Sequence, residues 1–187
     1  MQVAQLSIPG LILVEPARHG DARGFFSEVF NRQRFAEAGI PTDFAQDNHS
    51  LSREKGVVRG LHFQLPPHAQ GKLVRVPHGA MLDVTVDLRL GSPTFGRHEA
   101  VLLSAANWRQ LWIPIGFAHG FVTLEPDTEV LYKVDTLYDR EAERTLRWND
   151  PALGIDWGIA EGVAILSDKD RAAPPLAELA PAFHWEG

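Results

Sequence analysis

The stretch KGVVRGLHFQLPPHAQGK, residues 55–72, decides how the rest of the chain is read. Val57, Val58, Leu61 and Phe63 are strand-forming residues set between Gly56 and the Pro66-Pro67 pair, which predicts a β-strand closed by a tight turn. Arg59, His62, Gln64 and Lys72 are interleaved with them. A histidine in a strand is ordinarily a satisfied, partly buried residue. Even spacing, however, puts His62 and Gln64 on one face, and Lys72 follows beyond the prolines, near enough for an adjacent strand. A neutral imidazole beside an ammonium is disposed to act as a base, because the cation opposes protonation of its neighbour. That face is expected to line a ligand cavity rather than packed interior.

Working outward, strand patterns dominate. MLDVTVDLRL (81–90) alternates Leu82, Val84, Val86 and Leu88 with Asp83, Thr85 and Asp87. EVLYKVDTLY (129–138) puts Val130, Tyr132, Val134, Thr136 and Tyr138 on a common side. Turn clusters PHG (77–79), GSPTFG (91–96) and EPDT (125–128) punctuate these runs. NRQRFAEAG (31–39) predicts a helix with Asn31 as N-cap and Gly39 as stop, and SDKDRAA a second short one. Many short strands from about residue 44 to 148 predict an all-β protein, an antiparallel sandwich or jelly roll with a few short helices. No repeat or linker interrupts the chain, so residues 1–187 are expected to form one domain, with a Pro/Ala-rich tail at 172–182.

Composition narrows the function. The 187 residues are 44% hydrophobic, which suits a globular core, and the net charge of −6 argues against non-specific nucleic-acid binding. The chain has no cysteine, hence no disulfide framework and no thiolate metal site. MQVAQLSIPGLILVEP (1–16) lacks a basic stretch leading into a long apolar run, and no segment approaches the ~20 apolar residues of a membrane span. A cytoplasmic protein without a membrane partner is expected.

The P-x-G-x-x-H spacing of Pro114, Gly116 and His119 resembles the second motif of the cupin superfamily. Metal-binding cupins carry H-x-H followed by Glu in their first motif. Here the strand reads His62-Phe63-Gln64, no Glu follows before Lys72, and a lysine would repel a metal. No metal site is expected.

QDNHSLSREKGVVRGLHFQLPPHAQGKLVRV (46–76) resembles the signature of the dTDP-4-dehydrorhamnose 3,5-epimerase family. The likeness extends through DARGFFSEVFN (21–31), DVTVDLR (83–89), IPIGFAHGF (113–121), YKVDTLYDREAE (132–143), RWNDPALGIDW (147–157) and ILSDKD (165–170). The resemblance implies a cupin-type jelly roll, dimeric and without cofactor. Its activity would epimerise C3 and C5 of dTDP-4-dehydro-6-deoxy-D-glucose in dTDP-L-rhamnose synthesis. It implies His62 as catalytic base, Asp170 as its carboxylate partner, in preference to Asp168, and Tyr132 as proton donor. Lys72 is implied beside the keto group. Arg23, Glu28, Gln46, Asp47, Asn48, Arg59, His119, Glu143 and Lys169 match positions lining the nucleotide-sugar site, and Phe26 and Tyr138 match aromatics near the thymine. Arg23, Phe26 and Glu28 resemble the portion delivered by a neighbouring subunit, so the homodimer would complete the active site.

These residue types suit that chemistry. A C4 ketone acidifies the C3 and C5 hydrogens, and inversion needs a base, an acid across the ring and a group to hold the enolate charge. An imidazole ordinarily titrates near 6.5, a carboxylate orients it, and a phenol whose pKa a nearby cation lowers is a donor. A lysine at the enolate oxygen contributes about 3 kcal/mol if pre-organised. Arg23 and Arg59 offer forked donors for a diphosphate. His119 either binds sugar or phosphate or pairs with Asp83. The rival readings are an epimerase acting at one carbon or a ketoisomerase on a related sugar, a non-catalytic nucleotide-sugar binding module, and a metal-dependent cupin enzyme.

Overall fold

The computed structural model describes residues 1–187. In chain order the strands are β1 (Gln2–Gln5), β2 (Ile12–Glu15), β3 (His19–Asp21), β4 (Gly24–Phe26), β5 (Gln46–Ser52), β6 (Val58–Gln64), β7 (Lys72–His78) and β8 (Ala80–Asp87). They continue with β9 (Arg89–Leu90), β10 (His98–Ser104), β11 (Gln110–Ile113), β12 (Phe117–Thr123), β13 (Thr128–Val134), β14 (Glu143–Thr145) and β15 (Phe183–His184). Two short helices, α1 (Arg32–Glu37) and α2 (Asp168–Arg171), coincide with the expected ones. Asn31 caps α1 by accepting from the Arg34 amide at 3.1 Å, and Gly39 takes a φ of +79° beyond its end. No helix is long and apolar enough to cross a membrane.

Two antiparallel sheets face each other as a jelly roll. One runs β1-β2-β11-β7-β13-β5 and the other β10-β8-β12-β6-β14. The facing sides bury Val74, Val76, Leu111, Ile113 and Val130 from the first against Met81, Val101, Leu103, Phe117 and Phe121 from the second. The outer side of the five-stranded sheet is also buried. Val58, Leu61, Phe63, Val84, Val86 and Leu88 pack there under Trp148, Leu153, Trp157 and Phe183 of the C-terminal segment. Phe35 and Ile40 cover Ile12, Val14, Leu73 and Trp112 outside the other sheet.

The strand pattern in 81–90 therefore has an unusual sense. Its apolar face, Val84 to Leu88, lies under the C-terminal cover, and its polar face, Asp83, Thr85 and Asp87, points into the barrel with no exposure at all. Two further differences from the sequence reading stand out. β1 and β2 extend the six-stranded sheet ahead of residue 44. The alternation of 129–138 ends at Val134, so Thr136 and Tyr138 leave the sheet. There the Asp135 carboxylate accepts the Gly71 amide at 2.8 Å and Gln70 Nε2 donates to the Thr136 carbonyl at 2.6 Å, drawing the chain into the turn.

The register between β6 and β12 slips: His119 faces His62, whereas Phe121 faces Arg59. Two residues of β6, Gly60 and Leu61, thus oppose the single Gly120, a β-bulge. An extra residue reverses the side-chain parity, so Arg59 and His62, three apart, both point inward while Val58 and Leu61 both point outward. The glycines permit it: a Cβ on Gly60 would stand 2.6 Å from Gly120 Cα, and one on Gly120 would stand 2.7 Å from the Arg59 carbonyl oxygen. Gly120→Ala is expected to destabilise the protein by about 2–3 kcal/mol in urea unfolding. Gly162→Ala, whose Cβ would meet nothing within 4 Å, is expected to stay within about 0.5 kcal/mol. Equal effects would show that the close approach is not a constraint.

Candidate active site

The bulge opens the barrel onto a cavity of about 490 Å³ whose walls include Arg59, His62, Lys72, His119, Tyr132 and Asp170. A smaller cavity of about 240 Å³ adjoins it, lined by Gln46, Asn48, Gln64, Tyr138 and Glu143. His62, Lys72 and Tyr132 line both. His62 comes from the five-stranded sheet, whereas Lys72 and Tyr132 come from the six-stranded one, so the imidazole and the phenol occupy opposite walls.

His62 Nε2 lies 2.6 Å from Asp170 Oδ1. An ionised carboxylate only accepts, so Nε2 carries the shared proton and Nδ1 is left to take one. Asp170 is buried on α2, whose N-cap Ser167 accepts the Asp170 amide at 3.1 Å. A bridge between Val57 and Ile165 brings that segment alongside the start of β6. Asp168, at the first position of α2, is exposed, so the imidazole is held by Asp170. Burial opposes ionisation of Asp170, but the hydrogen bond and charge of His62 outweigh it and hold its pKa below the usual carboxylate range.

Lys72 Nζ reaches only the His62 carbonyl oxygen, at 3.4 Å. Burial pushes its pKa down to about 8, against the attraction of Asp83 and Glu143. Tyr132 behaves oppositely: burial raises its pKa, Arg59 pulls the other way and Glu143 reinforces the rise. The expectation that a nearby cation lowers this phenol is therefore corrected. The cation is present but desolvation dominates, and the phenol keeps its proton at neutral pH. His119 adopts the pairing with Asp83, Nε2 to Oδ2 at 2.8 Å, while also lining the larger cavity.

Other predicted residues fall into three groups. Arg59 stands at the larger cavity, with Nε donating to Ser52 Oγ and Nη2 to the Leu51 carbonyl, both at 3.2 Å. Gln46 Nε2 donates to Asn48 Oδ1 at 2.7 Å, and Glu143 joins Lys169 at 2.8 Å and the Tyr138 hydroxyl at 3.3 Å, all beside the cavities. Asp47 does not join them: strand alternation turns it to the outer face, where Lys133 Nζ lies 2.8 Å away. Arg23, Phe26 and Glu28 line neither of these two cavities. Arg23 pairs with Asp21, Glu28 with Arg34, and Phe26 is 70% exposed on the β3–β4 hairpin. The sequence reading missed Thr85 on the barrel floor; the strict alternation that pairs it with Asp83 was its one signal. No group of three or more His, Cys, Asp or Glu side chains is arranged to hold a metal ion.

An oriented imidazole, a phenol on the facing wall and an ammonium share one cavity inside an antiparallel jelly roll, an arrangement suited to an enzyme that transfers protons. Comparison with known proteins specifies the class. Residues 5–178 match the family model described as dTDP-4-dehydrorhamnose 3,5-epimerase. A protein of that description from Pseudomonas aeruginosa is 52% identical over 179 residues, covering 95% of this chain and 97% of the relative. One from Sinorhizobium fredii is 49% identical over 185 residues, covering 99% and 94%. The crystal structure of a Legionella pneumophila dTDP-6-deoxy-D-glucose-3,5-epimerase in complex with dTDP-4-keto-L-rhamnose superposes with a TM-score of 0.94 at 44% identity, covering 100% of this chain and 99% of that one. The chain belongs to the dTDP-4-dehydrorhamnose 3,5-epimerase family, a family of isomerases.

The depressed Asp170 pKa has a consequence for stability. A carboxyl group whose folded-state pKa is lowered stabilises the fold above its unfolded pKa of about 3.9, and loses that contribution as pH falls through the folded value. Asp170→Asn should therefore be less stable than the unaltered protein at neutral pH, with the gap closing below about pH 4. Denaturant unfolding at several pH values checks this; a gap that persists undiminished in acid would contradict it.

Proposed function

We propose that the chain epimerises C3 and C5 of dTDP-4-dehydro-6-deoxy-D-glucose by proton transfer through an enolate. The observation that carries this is the placement of the His62–Asp170 pair and Tyr132 on opposite walls of one cavity that Lys72 also lines. His62 Nδ1 removes the proton from the carbon next to the ketone, and the C–H electrons move into the ring to form the enolate. Asp170 steadies the imidazolium, as a buried carboxylate does for a histidine base. The Lys72 ammonium meets the charge that develops on the C4 oxygen. Tyr132 delivers a proton to the opposite face of the carbon, which inverts it; once the imidazolium has released its proton to solvent and the phenolate has taken one back, the sequence repeats at the second centre.

The remainder of the site suits a nucleoside diphosphate. Arg59 and Lys169 supply cationic donors for phosphate oxygens, and the smaller cavity presents the amides of Gln46 and Asn48 beside the Tyr138 ring. Arg23, Phe26 and Glu28 complete it from a second copy. Their exposure on and beside a hairpin that packs mainly through Phe25 against Trp108 supports this homodimer reading, since Phe26 then finds a base to stack on.

Incubation with the 4-keto sugar in D2O should introduce deuterium at both C3 and C5; label at C3 alone would make the protein a single-site epimerase, and no label would make it a binding module. His62→Ala should reduce exchange by about 10²–10⁴-fold while nucleotide binding persists. Because Lys72 must be charged, kcat should fall as pH rises through about 8. A profile flat to pH 10 would remove the ammonium from the rate-limiting step.

A further inference from the structure

Three inward carboxylates meet different fates in this barrel. Asp87 is fully matched: Arg89 Nε and Nη2 donate to it at 2.8 Å, and Ser92 and Thr94 hydroxyls at 2.7 Å. Asp170 is matched by His62. Asp83, with no solvent exposure, receives His119 Nε2 on Oδ2 and has nothing on Oδ1. Thr85 Oγ1, two residues along the same inward face, is likewise without a partner. A half-satisfied buried carboxylate is costly, and orienting one histidine occupies only one of its oxygens.

Across the cavity stands a group with the opposite deficit. Lys72 has three protons and a single long hydrogen bond. The charged and titratable groups facing it are Asp83 from β8, Glu143 from β14, His62 and Arg59 from β6 with Asp170 and Lys169 behind them on α2, His119 from β12, Tyr132 from β13 and Tyr138 beyond its end. Glu143 is taken up by Lys169 and Tyr138, and Asp170 by His62. Asp83 alone among these carboxylates has an unpaired oxygen inside the barrel.

We infer that Asp83 is a positioning residue for the reaction: its carboxylate, fixed by His119 on the barrel floor, is the counter-charge that keeps the Lys72 ammonium protonated and directed at the ketone oxygen. The inference rests on the proposed placement of Lys72 at that oxygen. The attraction of Asp83 is also the leading influence that opposes the effect of burial on Lys72. Without it, desolvation would carry Lys72 toward its neutral form at physiological pH, where it no longer stabilises an enolate.

Asp83→Asn keeps shape and an acceptor for His119 while removing the charge. Its alkaline limb of kcat should move down by about one pH unit, so that kcat at pH 8 falls about fivefold relative to the unaltered protein while at pH 6.5 it stays within about twofold. KM should change little. Asp83→Glu, which restores the charge, should return the limb to its original position, and it serves if the asparagine variant does not fold. An unmoved limb in Asp83→Asn, or a limb in Asp83→Glu displaced as far as the asparagine variant is expected to move, would overturn the inference. Lys72→Ala separates the two levels. If it leaves deuterium exchange intact, the placement of Lys72 is wrong and the inference falls with it. If it abolishes exchange while Asp83→Asn leaves the limb unmoved, only the role of Asp83 is wrong.

Discussion

The contact of two glycine backbones, Gly60 on β6 and Gly120 on β12, is the constraint from which the site follows. Side chains there would interpenetrate main chain, so nothing larger permits the bulge. The bulge in turn breaks the period of two that otherwise governs a strand. Without it, Arg59 would lie beneath the C-terminal cover beside Leu61, Phe63 and Trp148, where a guanidinium has no water and no partner. With it, one strand contributes an imidazole and a guanidinium to the same cavity, and still buries Val58, Leu61 and Phe63 behind them.

That burial connects stability to chemistry. Residues 149–187 contribute little regular structure, yet Leu153, Trp157 and Phe183 complete the core outside the five-stranded sheet. Trp148 and Trp157 meet edge to face at 5.7 Å, and the Trp157 indole donates to the Trp148 carbonyl at 2.8 Å. The same segment bridges Ile165 to Val57 and carries Asp170 to His62. The orienting carboxylate thus comes from the piece of chain that seals the hydrophobic face. Loosening the seal and misplacing the imidazole are one event, which explains why a short helix at an apparently featureless position holds half of the pair.

Much of this was legible in the residues and some was not, for physical reasons. The even spacing of His62 and Gln64 announced a polar inward face, and alternation could also have removed Asp47, since its neighbours Gln46 and Asn48 cannot share a face with it. Arg59 has the wrong parity in a regular strand, and only two glycines sixty residues apart encode the slip that corrects it. In 81–90 the pattern was plain but its sense was not, because a polar stripe reads alike whether it faces solvent or a cavity. Tyr138 continued the alternation of β13 on paper, whereas Asp135 and Gln70 end the strand through contacts that arise only once β7 is alongside. Arg23, Phe26 and Glu28 were suggested by resemblance alone; a single chain leaves them in solvent.

Desolvation then does one thing to two groups and suits both. Burial disfavours an ion of either sign, so it lowers Lys72 toward 8 and raises Tyr132 above the ordinary phenol range. An ammonium and a phenol left in water would already be charged and neutral, respectively, at pH 7, so burial is not needed to set their states. What it changes is the cost of altering them. Tyr132 becomes harder to leave as a phenolate, so once it has given up its proton it recovers one readily. Lys72, drawn closer to neutrality, becomes a stronger acid and, in the proposed mechanism, would meet the developing enolate through less water. In the proposed mechanism, the same low-dielectric cavity that makes unpaired polar atoms costly would sharpen the contrast between ketone and enolate, because only the enolate would bring a full negative charge to the unmatched protons of Lys72.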